Sequence, residues 1–102
     1  MTDQILRRWR LDHIGIAVLD LQAAELLYTA VLGGRAVSRE ELAGERVRVA
    51  FIDAGGVLLE LLTPTADDGP LARFLGSRGE GLHHLAFEVD DLETTLREAV
   101  AI

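Results

Sequence analysis

The feature that most restricts what this chain can fold into is an internal repeat. The segment "LDHIGIAVLDLQAAELLYTAV" from Leu11 aligns without gaps on "LHHLAFEVDDLETTLREAVAI" from Leu82. Identities fall at Leu11/Leu82, His13/His84, Val18/Val89, Asp20/Asp91, Leu21/Leu92 and Ala30/Ala101, and about half of the other pairs keep their apolar or polar character. A repeated unit of this length is a supersecondary element that cannot bury its apolar face alone, so the copies are expected to pack as neighbours.

Each copy opens with alternation, His13, Gly15 and Ala17 against Ile14, Ile16 and Val18, the period of a half-buried strand. A helix is predicted next in both, with Asp20 or Asp91 as N-cap; Leu21, Ala24, Leu27, Tyr28 and Val31 recur at helical spacing before Gly33 and Gly34. Three further strands follow in the first copy, over residues 35–42, 46–53 and 57–62, with turns at Ala43-Gly44 and Gly55-Gly56. The predicted fold class is therefore α+β, from paired βαβββ modules. The chain is expected to form a single domain over residues 1–102, with a first module over 11–62, a linker over 63–80 containing a short helix at 71–75, and a second module beginning at 82. That second module is expected to be truncated after its strand and helix, since a full copy would run to about residue 133 by repeat arithmetic. A sheet edge left open in this way invites a partner, and a homodimer is expected.

Composition narrows function mainly by exclusion. Hydrophobic residues at 49% and charged residues at 26% describe a globular domain. The net charge of −7 argues against a nucleic-acid surface. Cysteine is absent, which excludes thiolate catalysis and sulfur-ligated metals. No run approaches the roughly 20 apolar residues of a membrane span, and the basic stretch at Arg7, Arg8 and Arg10 around Trp9 reads as neither leader nor anchor, so a cytoplasmic protein is expected. Phosphate-loop, zincin and serine-hydrolase motifs are missing. Arg46 and Arg48 read as a solvated strand face or as contacts to an anionic substrate.

Chemistry concentrates at three positions. In "GLHHLAF" adjacent strand residues face opposite ways, so His83 and His84 are not expected to reach one site from a regular strand. The repeat register pairs His84 with His13, each followed on its own face by small or polar residues, while His83 falls with the helix-facing set. Glu60 interrupts the apolar strand "VLLELLTP". Its isolated burial would cost several kcal/mol, so it either faces outward on an edge strand or is compensated by a cation. Two imidazoles and a carboxylate suit Co²⁺, Zn²⁺, Mn²⁺, Fe²⁺ or Ni²⁺.

Together "LDHIGIAV", "LLELLTPT", "GLHHLAFEVDDLE" and the duplicated plan resemble the vicinal oxygen chelate superfamily, which includes glyoxalases, bleomycin-resistance proteins and dioxygenases, and within it the methylmalonyl-CoA epimerases. The resemblance covers residues 11–102. It implies a metal site of His13, Glu60 and His84 in a cup formed by the two modules. The implied cofactor is a divalent ion, Co²⁺ first, with Zn²⁺, Mn²⁺, Ni²⁺ or Mg²⁺ as alternatives. The implied activity is that of an isomerase: reversible epimerisation at C2 of an acyl-CoA substrate, methylmalonyl-CoA, through an enolate that the metal stabilises. No catalytic base is identified; the family's late glutamate belongs to a strand expected beyond Ile102, and Val49 stands where some relatives carry a second one. The alternatives are a glyoxalase I-like lyase and a metal-free small-molecule binding protein of the same fold.

Overall fold

A computed structural model describes residues 9–102 of the chain, so Arg7 and Arg8 lie outside the described residues. Five strands and three helices follow in the order β1 (Trp9–Ala17), α1 (Leu21–Leu26, continuing through Leu27–Val31), β2 (Arg35–Leu42), β3 (Val47–Asp53), β4 (Leu58–Pro64), α2 (Pro70–Arg78), β5 (Gly81–Val89) and α3 (Leu92–Val100). The strands form one mixed sheet of order β2-β3-β4-β1-β5. Strand β1 runs parallel to β4 and antiparallel to β5, while β2, β3 and β4 form an antiparallel meander. None of the helices among the described residues is long and apolar enough to cross a membrane.

The alternation seen in the sequence sorts the side chains onto two faces, each with its own helix. On one face α1 covers Ile14, Ile16, Ala50, Ile52, Leu59 and Leu61, with Val18 and Leu21 closing the cluster. Ile52 and Leu61 are fully buried, and burial of a side chain of that size stabilises the fold by roughly 1.5–3 kcal/mol. On the other face α2 seats Leu71 and Leu75 on Ala17, Val47, Val49 and Leu62, with Phe51 and Phe74 at the margin. Helix α2 therefore forms a wall on the face that carries His13, Glu60 and His84.

The sequence expectations meet three local corrections. The first helix is α-helical only to Leu26 and then widens into a π-helical turn over Leu27–Val31. There the Thr29 hydroxyl donates to the Glu25 carbonyl at 2.7 Å, a competing bond of the kind that deforms helices. The short helix predicted at 71–75 runs from Pro70 to Arg78, because Pro70 is preorganised for a first turn and the polar residues after Leu75 carry helix without an apolar signal. The face of β5 that alternation assigns to His83, Leu85 and Phe87 and that is expected to face a helix leaves Leu85 and Phe87 about half exposed.

Candidate metal centre

Glycine 15 is the hub of the site. It pairs with Glu60 of β4 on one side and with His84 of β5 on the other, and His13 lies two residues earlier on the same face. Three neighbouring strands thus deliver one polar side chain each to a common point. His84 Nε2 lies 3.2 Å from Glu60 Oε1, His13 Nε2 lies 3.4 Å from that same oxygen, and the two Nε2 atoms are 3.3 Å apart. All three side chains are largely sequestered from solvent, at 21%, 13% and 33% exposure for His13, Glu60 and His84.

This convergence depends on the missing side chain at position 15. A Cβ there would stand 2.2 Å from His84 Cε1 and 2.4 Å from its Nδ1, well inside contact distance, so any larger residue drives the imidazole off its place. The sequence pattern puts Gly15 among the small residues of the histidine face and does not reveal this crowding. The available signal was that Gly15 is the smallest residue between His13 and Ala17 on the histidine face.

The donor set fits a divalent cation. Bonds of about 2.1 Å to His nitrogen and carboxylate oxygen require donors about 3.0 Å apart at right angles and about 3.4 Å apart at tetrahedral angles. The observed separations of 3.2, 3.3 and 3.4 Å fall in that interval. The hydrogen bonding agrees at His13: Asp12 Oδ2 lies 2.8 Å from His13 Nδ1, and a carboxylate only accepts, so Nδ1 donates and Nε2 is the nitrogen turned toward Glu60 and His84. All three donor atoms lie within 4.8 Å of one another.

His83 departs from its expected place. The ladder passes from Gly15 opposite His84 to Ile16 opposite Leu82, so His83 is an extra residue in a β-bulge. A bulge suspends the alternation of faces, and both rings turn to the same side. Their Nδ1 atoms are 2.9 Å apart, and the His83 ring packs edge-on against Phe74 of α2 at 4.8 Å between centroids. Burial, with a smaller contribution from the neighbouring His84, holds His83 below the usual imidazole range, against the opposing pull of Glu60, so the neutral ring is favoured.

A cavity of about 640 Å³ opens beside the cluster, lined by Leu42, Arg46, Leu62, Leu71, His83 and His84 among others. Arg46 sits at its rim in the left-handed conformation, with φ 56°. Its guanidinium bonds Asp68 at 2.6 Å and holds that carboxyl below the usual range. Arg48 instead pairs with Glu41 on the exposed part of the sheet. Val49 is buried on the cavity face.

A mixed sheet whose adjacent strands β4, β1 and β5 bring a glutamate and two histidines together beside a walled cavity is a fold of the glyoxalase type with a candidate metal site. The chain belongs to the Glyoxalase/Bleomycin resistance protein/Dioxygenase superfamily, whose family model matches residues 12–102. It is 44% identical over 88 residues to the uncharacterized protein YqjC of Bacillus subtilis, covering 86% of this chain and 63% of that protein. It is 33% identical over 99 residues to the human mitochondrial methylmalonyl-CoA epimerase, covering 96% of this chain and 56% of that protein. A Streptomyces coelicolor methylmalonyl-CoA epimerase variant, solved in complex with 2-nitronate-propionyl-CoA, superposes with a TM-score of 0.79 at 35% identity, covering 90% of this chain and 70% of that one. The chain thus spans less than two thirds of the length of the two full-length relatives.

Proposed function

We propose that the protein to which this sequence belongs is a metal-dependent methylmalonyl-CoA epimerase, with His13, Glu60 and His84 holding a divalent ion. The observation that carries this reading is the convergence of two imidazole nitrogens and one carboxylate oxygen within 4.8 Å, in a family where several relatives are epimerases of this substrate. The proton at C2 lies between a thioester and a carboxylate and is too weakly acidic to leave unaided. A bound Co²⁺, Zn²⁺, Mn²⁺, Ni²⁺ or Mg²⁺ supplies Lewis acidity that offsets charge developing on the substrate oxygens.

The chain's own residues bind and orient. Val49, Phe51 and Leu62 form an apolar floor on the histidine face, which excludes water and strengthens electrostatic interactions at the site. Arg46 stands at the rim with its guanidinium bound to Asp68, so an anionic part of an acyl-CoA reaches it only by displacing that carboxylate. Val49 of β3 has no ionisable group, while Glu60 is committed to the cluster, so proton transfer is not assigned to either position.

The test is solvent exchange. Co²⁺-loaded protein incubated with methylmalonyl-CoA in deuterium oxide should place deuterium at C2, read by mass spectrometry, and the E60A variant should lose this together with the ion. Protein that binds both ion and thioester yet leaves C2 unlabelled contradicts the epimerase reading and favours a binding protein of the same fold.

A further inference from the structure

The residues that precede the two histidines occupy equivalent places in the repeat, and both are bulged. Strand β1 passes from Leu11 to His13 against consecutive partners Phe87 and Ala86, making Asp12 an extra residue. Strand β5 does the same at His83. Asp12 reaches Nδ1 of His13 at 2.8 Å, and His83 reaches Nδ1 of His84 at 2.9 Å. We propose that His83 is the positioning residue of His84: it accepts the Nδ1–H of His84 and so fixes the ring and tautomer that leave His84 Nε2 bare toward Glu60 and His13.

Proton accounting supports the assignment. Two nitrogens 2.9 Å apart share one proton if they are hydrogen-bonded. A His84 that ligates through Nε2 keeps its proton on Nδ1, so His83 Nδ1 accepts and His83 carries its own proton on Nε2. The edge-on contact with Phe74 at 75° holds the His83 ring in the accepting orientation. The first copy performs the same task with a carboxylate oxygen, the second with an imidazole nitrogen. Outer partners of this kind orient metal-binding imidazoles and raise affinity.

This inference rests on the metal reading above, and its test separates the two. Long-range ¹⁵N–¹H spectra of the Zn²⁺-loaded full chain should show His84 protonated on Nδ1 and His83 on Nε2. Zn²⁺ affinity, measured by competition with a chelating dye, should fall about 10- to 100-fold in His83→Leu. It should return to within about threefold in His83→Asn, whose Oδ1 accepts in place of Nδ1. Wild-type protein that binds no Zn²⁺ overturns the metal reading itself. Wild-type protein that binds Zn²⁺ with His83 protonated on Nδ1, or a folded His83→Leu that binds as tightly, overturns the positioning role alone.

Discussion

Helices α1 and α3 descend from the two copies of one sequence repeat, yet only the first is packed. Both start at the same device: Asp20 Oδ1 accepts from the Ala23 amide at 3.0 Å, and Asp91 Oδ1 accepts from the Thr94 amide at 3.1 Å. Beyond the cap they diverge. Leu21 is 8% exposed, whereas its counterpart Leu92 is 64% exposed and Leu96 is 55% exposed. Helix α1 rests on β3 and β4, which lie beyond β1 in the sheet, while no strand pairs with the outer edge of β5 among the described residues. The lesson is that a cap and an amphipathic pattern suffice to start a helix, but its burial needs a floor wider than the strand that precedes it.

The comparison breaks most visibly in the core. Leu61→Ala should cost about 2–5 kcal/mol in chemical denaturation, because Leu61 is fully buried beneath α1. Leu96→Ala, at the exposed face of α3, should stay within about 0.5 kcal/mol of the parent. Comparable losses at the two positions would show that α3 is covered in solution.

The functional copies are linked through Gly15, and Gly15→Ala should separate them. The added methyl collides with the His84 ring, so affinity for Zn²⁺ should fall about 10- to 100-fold, a change in ligand placement as costly as loss of an outer partner. Far-ultraviolet circular dichroism should be unchanged. Retained affinity would mean that His84 holds the ion from another rotamer.

The smallest effects lie at the caps. Asp20→Ala should cost about 1 kcal/mol, read from the thermal midpoint. For Asp91 the readout is pH. The Thr94 amide and hydroxyl hold its carboxyl below the usual range, so the contribution of this cap is present above about pH 4 and fades as pH falls through the depressed value. Chemical shifts of residues 92–100 should lose helical character over that interval. Helical shifts that persist in strong acid would contradict the cap's role.

Much of this architecture is legible in the sequence because it is periodic. Strand β2 occupies residues 35–42 as the pattern predicts, and Asp20 and Asp91 cap the helices they precede. Repeat register singles out His13 and His84 in the sequence and apolar context singles out Glu60, and their donor atoms lie within 4.8 Å of one another. The parts that escaped depend on relations between segments. The bulge at His83 is a mismatch of register between β1 and β5, which neither strand's own alternation reveals. The crowding of Gly15 by His84 is a cross-strand contact. The π-helical turn at Leu27–Val31 follows from hydrogen bonds around Thr29, where the apolar spacing still reads as an ordinary helix.

The account turns on whether residues 13, 60 and 84 share one cation, and the most direct measurement is an anomalous difference map from crystals of the full chain soaked in Zn²⁺. A single strong peak is predicted about 2 Å from His13 Nε2, His84 Nε2 and the Glu60 carboxylate. A map without density at that point, or with zinc bound only at other surface carboxylates, would contradict it.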